Sequence, residues 1–318
     1  MVSPPVSPLV SLLLLSSLSL LSFSADLPSP SYSRSTPCSS DYTRTTVPLP
    51  DGTSKPNHPF VPGCHPTSCS RHVFDDFVSP ADVARLRSMA ERAIEAARGG
   101  GGRPGPTIVD VNSGYMRDDE GLANMYEGNE GGLFSSEEYA FYRDTIERIR
   151  VTVGETFGLD EGYPIFTSPT FITRIQHDDQ WRPKGMHDVY WMEHVDKNNT
   201  QHYDYSGLLY LTTQDVDFTG GMFEFVKEAG VGEEGEVKFE FDEAVAPKAG
   251  RLITFTAGNE NPHKLNIVRG GTRFVLSFWF TCDREMQFEN FLDGDVHRSY
   301  KTEKKEEGRT GDGETGEL

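Results

Sequence analysis

The sequence predicts a mainly β chain with flanking helices, folded as an antiparallel sandwich or jelly-roll barrel. Eight short candidate strands crowd into about 115 residues with no helical period between them. Two capped amphipathic helices precede those strands. Of the 318 residues, 36% are hydrophobic and 11% aromatic, which supports a packed core in part of the chain but falls below the globular norm.

The first helix starts at Ser79-Pro80-Ala81-Asp82, where a hydroxyl can cap, proline suits the first turn and an acid meets the positive end of the dipole. Val83, Leu86, Met89, Ala90, Ala93, Ile94 and Ala97 then recur at helical spacing. Gly99 ends the helix, because GGGGRPGP cannot continue it. The second helix starts at Ser135, with Glu138 completing a capping box. Its apolar face runs through Tyr139, Tyr142, Ile146, Ile149, Val153 and Phe157 until Gly158 stops it. Both helices are expected to pack on one face of a sheet.

From about residue 167 the apolar period changes to two. The candidate strands are Thr170–Ile175, Val189–Val195, Leu208–Thr212, Met222–Val226, Val237–Phe241, Arg251–Thr256, Lys264–Val268 and Arg273–Thr281. Gly, Pro, Asn or Asp bounds each of them. Gly230, Gly232 and Gly235 match a dinucleotide-loop pattern, but a strand rather than a helix follows, so they read as a hairpin loop. RDDEG at 117–121 lacks the spaced ligands of a calcium loop and reads as a charged, solvated loop.

The flanks read differently. Leu9–Leu21 is a Leu/Ser run of signal-peptide length, although no basic residue precedes it, so residues 1–25 are expected to be a cleaved signal or a retained anchor. Residues 26–70 are rich in Ser, Thr and Pro and read as a disordered or O-glycosylated stalk. Cys64 and Cys69 could close a small disulfide loop there, which leaves Cys38 for Cys282 or another chain; a zinc site is the lesser option. Residues 71–166 form the helical support region and 167–283 the strand-rich domain. The charged segment 284–318 is expected to be disordered. A secretory-pathway location, in the ER or Golgi lumen or at a membrane, follows from the leader. Membrane contact is expected only if the leader is retained. A sequon at Asn198-Asn199-Thr200 would then be open to glycosylation.

Net charge is −19, which disfavours nucleic acid as a partner, since a phosphate backbone is neutralised by Lys and Arg. The sequence pI is about 4.8 and the mean hydropathy −0.50, with one long apolar run, so a multi-span membrane protein is excluded.

The candidate chemistry lies in His194-Val195-Asp196. On a strand, residues two apart face one side, so an imidazole and a carboxylate could meet one metal. The spacing alone is not specific, since His202-Tyr203-Asp204 repeats it in a polar loop. A third ligand is available at His263, in GNENPHKLNIV, and Arg273 follows at the entrance to RFVLSFWF. Two His and one carboxylate on one face of a metal are the arrangement of non-haem Fe(II) oxygenases, with positions left open for a 2-oxo acid and O2. The far carboxylate of such an acid needs a buried cation, a role suited to Arg273, and Tyr210 could add a hydroxyl. His177 and His187 flank a polar loop and read as solvated, while Trp191 and Trp279 read as core.

These residues carry a family resemblance. HVD at 194–196, LLYLT at 208–212, GGMFEF at 220–225, VAPKAGRLITF at 245–255, His263 and Arg273 together resemble the Fe(II)/2-oxoglutarate dioxygenases of the prolyl 4-hydroxylase-like branch. HVDKNNTQHYDYSGLLYL with FTAGNENPHKLNIVRGGTRF resembles the 2-oxoglutarate- and iron-dependent oxygenase domain-containing protein 3 group. The resemblance covers residues 167–283 and implies a double-stranded β-helix, or jelly roll. It implies His194, Asp196 and His263 as the iron ligands, with Arg273 and Tyr210 on the 2-oxoglutarate. Fe(II), 2-oxoglutarate and O2, with ascorbate as an auxiliary reductant, are the implied cofactors and cosubstrates. The implied reaction hydroxylates a C–H bond, with a prolyl or lysyl side chain of a secretory-pathway protein or peptide as the first expectation. Arg273 departs from the Lys usual in collagen prolyl hydroxylases, which weakens a collagen-type proline as substrate. Loops 177–188, 197–205 and 227–236 would select the substrate, and their acidity favours a basic peptide. The competing expectation is a catalytically silent, lectin-like or scaffold jelly roll that keeps its metal pocket.

Overall fold

The computed structural model describes residues 28–48, 53–56, 59–98, 103–126, 132–185, 188–232 and 237–288. The leader Leu9–Leu21, most of the C-terminal charged segment and His187 lie outside the described residues.

In chain order the strands before the first helix are β1 (Tyr32–Thr36), β2 (Thr46–Pro48), β3 (Ser54–Pro56) and β4 (Cys69–Phe74). Helix α1 (Pro80–Arg98), strands β5 (Gly105–Val109), β6 (Tyr115–Asp118) and β7 (Gly121–Asn124) and helix α2 (Ser136–Thr156) follow. The remainder is β8 (Ile165–Phe166), β9 (Phe171–Gln176), α3 (Asp196–Asn199), β10 (Tyr205–Tyr210), β11 (Phe218–Gly220), β12 (Phe223–Val231), β13 (Val237–Val245), β14 (Leu252–Thr256), β15 (His263–Leu265) and β16 (Val268–Thr281).

Two sheets result. The larger runs β1-β4-β14-β10-β16-β9-β5-β6-β7, with β8 and β11 attached to β16. The smaller runs β13-β12-β15. The pairings within both are antiparallel, which gives the mainly β jelly roll that the strand pattern predicts.

The period of two sorts the core. Along β16 the even residues Phe274, Leu276, Phe278 and Phe280 share one cluster with Leu86 and Met89 of α1 and Tyr142 and Ile146 of α2. The odd residue Val275 joins the other cluster, with Tyr210, Ile253, Phe255, Phe223 and Phe225, in the space between the sheets. β14 divides in the same way, with Leu252 toward the helices and Ile253 and Phe255 inward. One face of the large sheet therefore holds the helices and the other the jelly-roll interior. Gly207 sits where β10 is squeezed, since a Cβ there would lie 2.3 Å from the Phe278 ring.

Both helices form as their caps predict. The Asp82 amide donates to Ser79 Oγ at 3.1 Å, and the Ser135/Glu138 capping box is complete. Their buried residues are the expected apolar faces. β12 and β13 pair as the hairpin reading expects, with Gly230 inside β12 opposite Lys238, while Gly235 lies outside the described residues.

Several expectations are corrected. Residues 26–70 are not a stalk: from residue 28 the described segments are built into the fold, with β1 paired on β4 and β4 on β14. The Ser- and Thr-rich composition misleads because β1 is an edge strand that needs no apolar run; burial falls instead on Asp41, Tyr42 and Cys64. The cysteines pair Cys38–Cys69 and Cys64–Cys282, not Cys64–Cys69. The support region 71–166 contains β5, β6, β7, β8 and most of β4 besides its helices. Val189–Val195 is not a strand, because it joins the sheets through a single bridge, His194 to His263. RDDEG is the turn of the β6–β7 hairpin, and its Asp118 is buried against Arg98 at 3.1 Å rather than solvated. Trp191 and Trp279 are half-buried at the edge of the core.

The two disulfides close loops of very different length, with sequence separations of 31 and 218. Replacing Cys64 and Cys282 together by alanine is expected to cost about 2–5 kcal/mol of unfolding free energy, and more than the Cys38→Ala/Cys69→Ala pair. Urea denaturation of both variants under oxidising conditions measures the difference.

Candidate metal centre

The site begins with a reciprocal backbone pair. The His194 amide donates to the His263 carbonyl at 2.9 Å, and the His263 amide donates to the His194 carbonyl at 2.9 Å. His263 is the first residue of β15, which is paired to β12. This one bridge holds the two imidazoles with ring centroids 4.3 Å apart.

Asp196 lies two residues beyond His194, at the first position of the single-turn α3, not on a strand. The chain bends there, so the carboxylate turns back toward both rings. Its oxygens lie 3.8 Å from His194 Nε2 and 3.8 Å from His263 Nε2. The possible donor atoms of His194, Asp196 and His263 all lie within 4.8 Å of one another. Asp196 and His263 are buried; His194 is partly exposed and opens the site on one side.

The protonation pattern suits a cation. His194 Nδ1–H donates to the Met192 carbonyl at 3.0 Å, and His263 Nδ1–H donates to the Asn261 carbonyl at 3.0 Å. Each hydrogen bond leaves the Nε2 lone pair facing Asp196. Burial, with His194 close by, pushes the His263 imidazole down to about 4, so it is neutral near pH 7. Phe223, Phe225 and Phe255 surround its ring at 5.0–6.3 Å and keep it dry. Two imidazole Nε2 atoms and one carboxylate on a shared face fit a divalent iron with open coordination positions.

Arg273 and Tyr210 come together on the interior face. Tyr210 of β10 is opposite Val275 of β16, and Arg273 is two residues along on the same face. The guanidinium carbon lies 5.4 Å from the centre of the Tyr210 ring. Arg273 is 2% exposed, and among the described residues no carboxylate pairs with it. Burial lowers its pKa, an effect the Tyr210 and Tyr190 hydroxyls partly offset. Burial pushes Tyr210 up to about 12. Among the described residues Arg273 Nε has no hydrogen-bond partner, and Tyr210 Oη has none beyond the Arg273 guanidinium. A buried guanidinium beside a phenolic hydroxyl is suited to receive a carboxylate. Tyr210 lies in one apolar cluster with Phe223, Phe225 and Phe255, the rings around His263, so the anion receptor and the triad share one interior.

The other candidates separate. His202 meets the Tyr203 ring edge-on, while Asp204 turns inward to Lys197 at 2.7 Å. His177 bonds to the Val268 carbonyl and to Asp179. A second cluster, His65, Asp204 and Cys282, holds no free thiol, because Cys282 is bonded to Cys64. His65 Nδ1 accepts from the Val61 amide, which leaves Nε2–H for Asp204 at 3.5 Å.

Sequence reasoning missed several residues around the site. The Tyr190 hydroxyl accepts from the Val268 amide at 3.2 Å and stands near Arg273. Arg71 Nε donates to Asn261 Oδ1 at 2.6 Å, bracing the turn whose carbonyl orients His263. The Gly258 amide donates to Tyr42 Oη, and the Asn259 amide to Asp41, so the supposed stalk supports the same turn. A lone Tyr, Arg or Asp far away in sequence gives no local signal of this kind.

Comparison with known proteins agrees with the geometry. Residues 177–281 match the 2OG-Fe(II) oxygenase superfamily. The chain is 33% identical over 257 residues to the 2-oxoglutarate and iron-dependent oxygenase domain-containing protein 3 of Mus musculus, covering 80% of this chain and 72% of that protein. It is 27% identical over 231 residues to prolyl 3-hydroxylase 1 of Gallus gallus, covering 67% of this chain and 29% of that protein. A solved oxidoreductase of the 2OG-Fe(II) oxygenase family from Burkholderia pseudomallei aligns with 66% of this chain and 84% of its own, at 16% identity and a TM-score of 0.42. The chain belongs to the 2OG-Fe(II) oxygenase superfamily and is a dioxygenase that uses Fe(II), 2-oxoglutarate and O2.

Proposed function

We propose that His194, Asp196 and His263 hold the Fe(II), that Arg273 and Tyr210 hold the far carboxylate of 2-oxoglutarate, and that the enzyme hydroxylates a prolyl or lysyl side chain of a secretory-pathway protein. The observation that carries the reading is the buried, carboxylate-free Arg273 on the same interior as a triad with both Nε2 atoms directed at one carboxylate. When bound, Fe(II) with 2-oxoglutarate and O2 supplies the oxidising chemistry, releasing succinate and CO2 as the substrate gains a hydroxyl. The chain's own part is to aim two imidazole nitrogens and a carboxylate at one point and to grip a carboxylate in a dry interior. Ascorbate would serve to re-reduce iron oxidised off the productive cycle.

A protein substrate is supported by an open cavity of about 620 Å³ next to the centre. Trp191, Met192 and Glu193 line it just before His194, and Lys264 just after His263. Prolyl 3-hydroxylase 1 as a relative favours proline first, and Arg273 in place of Lys argues against collagen-type 4-hydroxylation. All four cysteines are paired, as suits an oxidising lumen. Attachment to a membrane would depend on retention of Leu9–Leu21. A silent binding module is the weaker reading, since a lapsed site has no reason to keep an unpaired cation buried.

Arg273→Met is expected to raise the melting free energy of the metal-free protein by about 1–3 kcal/mol, by removing a buried group with an unsatisfied donor. The same change is expected to abolish 2-oxoglutarate binding, and thermal melts with and without 2-oxoglutarate report both effects. The substrate is tested with Pro- and Lys-containing peptides incubated with Fe(II), 2-oxoglutarate and ascorbate, then sequenced by mass spectrometry. One added oxygen on Pro or Lys, absent in His194→Ala, is expected. Oxygen found only on other residue types would refute the substrate assignment.

A further inference from the structure

We propose that Lys197 and Asp204 form a buried positioning device for Asp196, fixing the carboxylate arm of the metal centre; this rests on the triad being that centre. Lys197 is the residue after Asp196 and is only 5% exposed, unusual for a lysine on a one-turn helix. Its ammonium uses all three donors: Asp204 Oδ1 at 2.7 Å, the Gln201 carbonyl at 2.9 Å and the Tyr203 carbonyl at 3.2 Å. The Tyr42 ring lies 5.0 Å from the same nitrogen.

Asp204 is anchored from several sides. Its other oxygen accepts from the Cys282 amide at 2.7 Å, and His65 Nε2 stands 3.5 Å from Oδ1. Its own amide donates to the Phe280 carbonyl, which fixes it to β16. The main chain closes a ring: the Lys197 amide donates to the Ala257 carbonyl at 3.0 Å, and the Ala257 amide donates to the Asp204 carbonyl at 3.0 Å. Cys282 Sγ, bonded to Cys64, lies within 4.8 Å of an Asp204 carboxylate oxygen.

The physical need is clear from α3. It has four residues, and its N-cap, Val195, makes no side-chain capping bond. A single uncapped turn is marginal by itself. The direction of Asp196 is therefore set by what holds the next residue, and that is the Lys197–Asp204 pair. Ala257 lies between β14 and the turn that delivers His263, so the same ring ties two ligands of the triad to one frame.

The test is a Co(II) titration of the full chain with its disulfides intact, read by visible absorption, alongside thermal melts. Wild type, Lys197→Met, Lys197→Arg and Asp118→Asn are compared. Asp118→Asn breaks the buried Arg98 pair on α1 and serves as the control for lost stability alone. The expected result is Co(II) binding weakened about 10–100-fold in Lys197→Met, with a changed absorption band at saturation. Lys197→Arg keeps the charge but cannot seat one nitrogen among three oxygens, so it falls between. Asp118→Asn melts earlier yet keeps wild-type affinity and band. If Lys197→Met does not fold, Lys197→Arg decides by the same readout. Wild-type affinity and band in the Lys197 variants would overturn the proposal, as would an equal loss in Asp118→Asn. Absence of Co(II) binding in wild type would instead overturn the triad as a metal centre.

Discussion

The reciprocal hydrogen bonds between the backbones of His194 and His263 are the constraint on which the site depends. They place two imidazoles from segments 69 residues apart at 4.3 Å, and they anchor an otherwise irregular loop to β15. The turn into α3 then returns Asp196 to both rings. A longer strand at 189–195 would have carried the chain straight on and left the carboxylate on one line with His194. A single bridge followed by a bend brings the three side chains together instead.

The two faces of the large sheet divide the labour of stability and chemistry. Even residues of β16 pack on α1 and α2, where burial of Phe274, Leu276, Phe278 and Phe280 supplies apolar area at about 25 cal/mol per Å². Odd residues face the interior, which contains the cation of Arg273 beside Val275. An apolar residue in its place would pack at lower cost. The helix-facing core tolerates that charge because it forms a separate apolar layer on the opposite face of the sheet.

The helices, most strands and the triad with Arg273 are legible in the sequence, because each rests on a local pattern or on a motif of chemically distinctive residues. Ser135 with Glu138 announces a helix whatever surrounds it. The bracing is not legible, since it joins distant residues of ordinary type. Asp41 and Tyr42 reach Gly258, Asn259 and Glu260 across more than 210 residues from a segment whose composition suggests no structure. Cys64 bonds Cys282 rather than its neighbour Cys69, a pairing that only the return of β16 to the N-terminal segment creates. The Val189–Val195 run is rich in strand-forming Val, Tyr and Trp, yet tertiary pairing reduces it to one bridge.

The account stands on Fe(II) and 2-oxoglutarate meeting at His194, Asp196, His263 and Arg273. The most direct measurement is an anaerobic titration of the Fe(II) protein with 2-oxoglutarate, following the weak visible metal-to-ligand absorption band. The band is expected in wild type, absent in His194→Ala, and reached only at much higher 2-oxoglutarate in Arg273→Ala. A folded wild-type protein that shows no band at saturating 2-oxoglutarate would contradict the assignment of these residues.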